Sequence, residues 1–392
     1  MTSSSYDLAV AGGGAIGLAC AWRAAQRGLR TVVVDAGGAG GADHAGDGEW
    51  RPGTPGAWEV AAGMLAPVAE SDFGDAPLTE LGLRAARAFE GFCAELAESG
   101  VDPGYCATGT LVVARDRDEA EALDRMLAFR RELGLEVERL LPSAARRAEP
   151  ALAPTVRLAL DIPGDHSVDP RRLVAALAAA FEQAGGTLRH ARVAALVTDG
   201  DRAAGLRLAG GEEIAADRVL LAPGTGEIDV PEPARVPVRP VKGQIMRLRD
   251  PRGNRSHPSL VERTIRGAGG YLVPRADGRY VLGATMEERG HDTAPTAGGV
   301  YELLRDVSEI VPGVLELDIE ELRAGLRPET PDNLPAIGPG ALEGLVWAAG
   351  HFRNGILLAP VTADLAVAAV CDEPLPDWAA PADPRRFSGV AV

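Results

Sequence analysis

Leu8-Ala9-Val10-Ala11-Gly12-Gly13-Gly14-Ala15-Ile16-Gly17 decides the reading of this chain. An apolar tetrapeptide with the composition of a buried strand runs into three glycines. From Ala15 to Gln26 helix formers follow without a proline, and Gly28 supplies a stop. Thr31-Val32-Val33-Val34-Asp35 is then a β-branched run, the second strand of a βαβ unit. Gly12-x-Gly14-x-x-Gly17 has the spacing of a dinucleotide fingerprint. Gly12 permits the tight turn, Gly14 admits a pyrophosphate close to the backbone, and Gly17 lets the helix pack on the strand. The pyrophosphate would lie at the helix N-terminus, where unpaired N–H groups and the macrodipole favour an anion. Asp35 closes the second strand, placed to accept hydrogen bonds from the adenosine ribose. The fingerprint by itself leaves FAD and NAD open.

Composition narrows the classes. With 392 residues the chain is long enough for two domains with real cores, and 46% hydrophobic against 24% charged residues is ordinary for a globular protein. A formal net charge of −16 argues against a nucleic-acid partner, which needs a basic face. Cys20, Cys93, Cys106 and Cys371 form no C-x-x-C pair and have no histidine at ligand spacing, so free thiols and no metal are expected. No apolar run approaches the roughly 20 residues of a membrane span, and the first residues lack a basic n-region. A cytoplasmic location away from any membrane is therefore the expectation. Lys242 is the one lysine among 40 basic residues.

Further along, Gly37–Ala57 is rich in Gly, Asp and Pro and reads as a mobile surface loop. Helices are predicted at Thr79–Glu98, Arg117–Leu133 and Arg171–Ala184, the last with Asp169 as N-cap and Pro170 in its first turn. Thr110–Ala114, Arg192–Asp199, Ala203–Leu208, Glu213–Ala215 and Arg218–Ala222 read as strands, and Pro231–Pro240 as a domain crossing. Strand signals dominate from Val241 to Met286, including a hairpin around Asp277-Gly278. Gly299–Val311 reads as a helix. The strand Leu345–Ala349 leads through a turn at Gly350–Gly355 into a helix, Ile356–Val370. The order points to two domains interleaved in sequence, the nucleotide domain being assembled from three pieces.

Several stretches carry a resemblance across nearly the whole chain. They are Gly12–Gly17, Ala61-Ala62-Gly63-Met64, Val241-Lys242-Gly243-Gln244, Tyr271–Arg275, Gly283–Met286, Gly325–Pro328 and Gly350–Leu357. In that order they resemble the glycine oxidases of thiamine biosynthesis, within the D-amino-acid oxidase and sarcosine oxidase superfamily. The resemblance implies noncovalent FAD and an α/β fold: a Rossmann-like FAD-binding domain (1–72, 166–230 and 324–373) interleaved with an antiparallel-sheet α+β substrate domain (73–165 and 231–323). Residues 374–392 would form a C-terminal tail. It also implies a small amino-acid substrate, O2 as partner and a homo-oligomer, a tetramer in the relatives.

Carried over motif by motif, Arg327 would hold the substrate carboxylate, since a guanidinium fork meets a carboxylate with two parallel hydrogen bonds. Tyr271 would donate its hydroxyl to the same carboxylate, while Met64 and Met286 would wall the cavity. Ala15, Ile16, Asp35 and Ala36 would border the ADP half, Val193 the adenine, and Ala62, Gly63 and Met64 the flavin. The turn His351-Phe352-Arg353-Asn354-Gly355-Ile356-Leu357 would bring backbone N–H groups to the flavin pyrimidine, with Arg353 also near the substrate. Lys242 has two readings: a cation that helps oxygen react with the reduced ring, or a linker lysine in a salt bridge. No histidine sits in a nucleophile or metal pattern, and no protein acid or base is required.

Trp58-Glu59 departs from the family, which usually has small hydroxyl residues there, as does Gly269, which suggests a more open mouth. The reading is oxidative deamination of glycine to glyoxylate and ammonia with release of hydrogen peroxide. Its rivals are a sarcosine or D-amino-acid oxidase, a flavin dehydrogenase with another acceptor, and a flavin-binding protein without turnover.

Overall fold

The computed structural model describes residues 6–36, 56–252 and 259–388. The first sheet grows from the fingerprint. The strands Thr187–His190, Thr31–Asp35, Tyr6–Ala11, Glu213–Leu221 and Leu345–Ala349 lie side by side and parallel, and Ala336–Pro339 closes one edge antiparallel. Alternate residues face opposite sides, as a pleated strand requires. Leu8, Val10, Val33 and Leu220 join a core with the helices Ala15–Gln26, Pro170–Gln183 and Ala359–Val370. Ala9, Ala11, Val32, Val34, Val219 and Leu221 pack beneath the strands Val193–Asp199 and Arg202–Leu208. Both faces are covered, which is why these strands read as unbroken apolar runs.

A second sheet of eight strands runs in the order Asp318–Glu329, Arg239–Arg249, Arg279–Gly283, Gly270–Pro274, Thr264–Gly267, Thr110–Ala114, Leu158–Ile162, Glu138–Leu140. Its neighbours are antiparallel except Thr264–Gly267 against Thr110–Ala114. The helix Ala297–Ser308, N-capped by Thr296 Oγ accepting from Gly299 N–H (3.2 Å), buries Leu303 and Val307 under it. A small third sheet joins Met64–Leu65, His166–Val168 and Tyr105–Cys106. Among the described residues no helix is long and apolar enough to cross a membrane.

Several elements differ from the expectation. Glu213–Ala215 and Arg218–Ala222 are one strand, Glu213–Leu221, whose pairing changes along its length. Its first half is antiparallel to Arg202–Leu208 and its second half parallel to Tyr6–Ala11, so the charged residues at its middle mark a change of partner, not an end. The last long helix starts at Ala359 instead of Ile356, because Pro360 belongs in a first turn and cannot sit inside a helix. The helix Ala76–Ala97 lies in a segment expected in the substrate half. It buries Leu81, Phe89, Phe92 and Leu96 in the core of the first sheet. Residues 324–329, expected in the FAD-binding half, extend a strand of the second sheet. The Gly37–Ala57 loop falls outside the described residues up to position 55, and Ala57 opens a short helix, Ala57–Val60.

Candidate active site

A cavity of about 640 Å³ runs from the glycine turn to the second sheet. At one end, Gly12 has φ +106°, and a Cβ there would strike the Ala222 carbonyl oxygen, so no other residue fits this turn. Gly14 caps the helix with extended backbone and no side-chain bond. The space a Cβ would take at Gly14 meets only Trp58, 3.5 Å away. Ala15, Ile16 and Gly17 line the cavity here, so the first turn of the helix borders it. Asp35 and Ala36 line it too, and Asp35 Oδ2 accepts from Gly13 N–H at 2.7 Å, which braces the turn. A side-chain-free cradle at a helix N-terminus beside a strand-end carboxylate fits the ADP half of FAD. Val193 lines the cavity with Arg192, and Gly224–Ile228 face them from the end of the parallel strand.

The middle of the cavity is formed by Ala61, Ala62, Gly63 and Met64. This segment is held by its carbonyl groups. Arg275 Nη2 donates to Ala62 O, and Val168 N–H donates to Gly63 O (2.8 Å). Arg247 Nη2 (2.6 Å) and Arg171 Nε (3.2 Å) both donate to Glu59 O. The Glu59 carboxylate accepts from Arg323 (2.7 Å), and Glu321 pairs with Arg171, Arg247 and Arg323. Burial pushes the Glu59 carboxyl up against the pull of Arg323 and Arg171. For Glu321 burial acts the same way, but its three arginines outweigh it and hold the carboxyl low.

At the far end, Arg327 lies across Gly243, where a Cβ would collide with the guanidinium. Arg327 Nη1 donates to Thr285 O (3.1 Å) and more weakly to Lys242 O (3.4 Å). The Tyr271 ring covers Gly283, so its hydroxyl reaches the same corner. Burial lowers the Arg327 pKa, Tyr271 and Glu70 oppose that shift, and Arg353 adds to it. Burial likewise raises the Tyr271 phenol, with Arg327 pulling it back. A half-buried guanidinium and a phenol facing one cavity can take a carboxylate.

The C-terminal turn is tied to the Arg327 strand by Phe352 N–H donating to Pro328 O (2.7 Å). His351, Phe352, Arg353, Gly355 and Ile356 line the cavity, whereas Asn354 and Leu357 turn away from it into the fold. His351 Nε2 bonds Thr362 Oγ1 (2.9 Å), and burial pushes its ring down to about 3, so it stays neutral. Arg353 is exposed, its guanidinium 5.6 Å from the Phe352 ring centre.

Of the expected cavity residues, Met64 lines the wall but Met286 does not. Met286 is 64% exposed, because the strand Arg279–Gly283 has ended before it. Lys242 is fully buried away from the cavity, its Nζ bonded to Asp292 (2.7 Å) and to Ala294 O (2.6 Å), which is the salt-bridge reading. Sequence reasoning passed over Glu70, His291 and Thr293, all of which line the cavity. None stands in a motif. Trp58, noted only as a departure, packs on the glycine turn.

The chain is similar to known proteins along nearly its whole length. Residues 7–369 match a family described as FAD dependent oxidoreductase. A glycine oxidase from Geobacillus kaustophilus is 33% identical over 91% of this chain and 90% of its own length. The crystal structure of glycine oxidase from Geobacillus kaustophilus superimposes with a TM-score of 0.83 at 32% identity, covering 97% of this chain and 98% of that one. The hydrogen cyanide synthase subunit HcnC of Pseudomonas aeruginosa is 30% identical over 98% of this chain and 96% of its own length.

Proposed function

Because the chain belongs to the FAD dependent oxidoreductase family, we propose that it deaminates glycine oxidatively, and other small amino acids more slowly. Glycine, O2 and water would give glyoxylate, ammonia and hydrogen peroxide, a sequence that supplies an oxidised glycine unit for thiazole formation in thiamine biosynthesis. One observation carries this reading: the Arg327 guanidinium laid over Gly243 beside Tyr271, at the end of a cavity that begins at the glycine turn.

When bound, FAD supplies the acceptor for the hydride that leaves the substrate Cα. The chain supplies the positioning. Arg327 grips the carboxylate with two hydrogen bonds and Tyr271 adds a third, which fixes Cα at one distance from the cavity floor. Ala62, Gly63 and Met64 form that floor, and the arginines on the Glu59 and Ala62 carbonyls keep it from shifting. With Phe352 N–H held by Pro328 O and Asn354 N–H by His351 O, the rest of the turn, Arg353, Gly355 and Ile356, would face the charge that develops on reduction.

The test is to add glycine anaerobically to the purified yellow protein, then admit air. Bleaching of the flavin band, followed by equal amounts of peroxide and glyoxylate, is the expected result. A colourless protein, or a strong preference for a bulky D-amino acid over glycine and sarcosine, overturns the reading. The sequestered Lys242 favours one second reading, in which electrons pass to a carrier other than oxygen. Fast dye reduction without peroxide would establish it.

A further inference from the structure

The wall beside Arg327 carries a carboxylate that belongs to none of the sequence motifs. Glu70 lines the cavity, and its Oε1 stands 3.2 Å from Arg266 Nη1. Arg266 stands directly opposite Tyr271 on the neighbouring strand, so its partner Glu70 lies on the Tyr271 side of the cavity. Of the acidic residues on the cavity wall among the described residues, Asp35 braces the glycine turn and Glu227 follows the parallel strand at the nucleotide end. Of these three, Glu70 is the one on the Tyr271 side of the cavity.

The turn that presents Glu70 is anchored by charges taken out of water. Ala69 N–H donates to Asp165 Oδ2 (2.6 Å) and Val68 N–H to Asp165 Oδ1 (3.2 Å). Ala69 O accepts from Arg130 Nη2 (2.7 Å) and Arg266 Nη1 (3.1 Å). Asp165 is 0% exposed and Arg130 3%. Burying a carboxylate and a guanidinium is costly, and hydrogen bonds offset part of that cost; here both direct bonds to the main chain of the residue before Glu70, while Arg130 Nη1 has no partner among the described residues. Burial pushes Asp165 up to about 7 and Arg130 down to about 10, the expected signature of that desolvation. So anchored, the Glu70 carboxylate is a fixed part of the cavity wall, unlike a carboxylate on a solvated turn.

An amino acid brings two opposite charges into this corner. Arg327 suits the carboxylate, and the cation then needs an anion across from it. We propose that Glu70 receives the amino group of the substrate, as ammonium on binding and as the neutral amine once that proton has passed to solvent water before the hydride leaves, so that the site selects a dipolar amino acid and disfavours a ligand that is only an anion. This rests on the reading that Arg327 takes the carboxylate of an amino-acid substrate. A second carboxylate close to the substrate nitrogen would be repelled by Glu70, which makes neutral, small amino acids the preferred class over dicarboxylates.

The test compares two ligands in the FAD-loaded Glu70→Gln protein, glycine and acetate, the second having the carboxylate without the amine. Acetate binding is read from the anaerobic flavin spectrum and glycine from KM. Loss of a charge-assisted hydrogen bond predicts a glycine KM higher by roughly tenfold to a hundredfold, whereas acetate should bind as tightly or severalfold more tightly once a like charge is gone. Glu70→Asp should recover part of the glycine response. Equal weakening of both ligands would mean that Glu70 only supports the fold, and an unchanged glycine KM would mean that it does not meet the amine. Either result overturns the proposal. If Glu70→Gln does not retain FAD, Glu70→Asp decides by the ratio of glycine to acetate affinity, which must fall below that of the unaltered protein. Failure of the parent reading is separable, since an unaltered protein that glycine does not bleach fails before any variant is made.

Discussion

Arg327 can lie flat in its corner only because residue 243 has no side chain. Arg327→Lys keeps the charge but loses the planar fork, so glycine KM should rise by roughly tenfold to a hundredfold while the flavin spectrum is retained. Steady-state kinetics check this, and an unchanged KM removes Arg327 from the substrate. Gly243→Ala should move KM in the same direction by displacing the guanidinium. His351 makes a separate prediction. Its ring stays neutral in the fold down to about 3, while an unfolded chain takes up a proton below about 6.5. The unfolded state then binds more protons, so His351 makes stability fall as pH drops from about 6.5 towards 3, by up to ~1.4 kcal/mol per pH unit. His351→Gln should flatten that slope. Urea denaturation of both proteins at pH 7 and pH 5 measures it, and Asp165 and every other titrating group cancels in the difference. Arg327, Tyr271 and Asp35 were legible at this scale because each sits in a motif. Glu70 was not, because a glutamate after Pro-Val-Ala looks like any surface carboxylate until Asp165, 96 residues from Ala69, anchors its turn.

At the scale of elements, the four-residue helix Ala57–Val60 joins the two ends of the cavity. Trp58 packs on the Gly14 turn, and Val60 fills the place a side chain on Gly325 would need, two residues from Arg327. Glu59 is held by arginines from the helix Pro170–Gln183 and from two strands of the second sheet. A methyl group at residue 325 therefore drives into Val60. Gly325→Ala should lower stability by about 1–3 kcal/mol and loosen FAD, as overpacking does. Adding Val60→Ala should restore much of both. Thermal melts with released flavin fluorescence follow the two effects, and failure of the second change to rescue the first would detach this helix from the cavity. The helix was invisible in the sequence: four residues carry no period, and Trp58-Glu59 registered only as a mismatch to the family.

Across the whole molecule, the cavity draws its wall from Gly12, Asp35, Met64, Ala222, Tyr271, Arg327 and Phe352, which no single sequence segment contains. A cofactor bound there contacts the native arrangement and has no equivalent site in the unfolded chain. Stripping FAD should therefore lower the melting temperature, and free FAD at 100 times its Kd should return about 2.7 kcal/mol of stability. Identical melts with and without FAD would place the cofactor elsewhere.

Local chemistry pointed to a dinucleotide from the residues alone and left the choice between FAD and NAD to the family resemblance. A buried strand, a glycine turn and a carboxylate at the end of the next strand are near neighbours in sequence, and periodicity and spacing record near neighbours. The register of Glu213–Leu221, the place of the helix Ala76–Ala97, the salt bridge of Lys242, the exposure of Met286 and the inward face of Glu70 were decided only in three dimensions. Apart from Met286, which lies past the end of its own strand, each depends on a partner far along the chain, and a sequence pattern does not record which distant groups will share one low-dielectric interior.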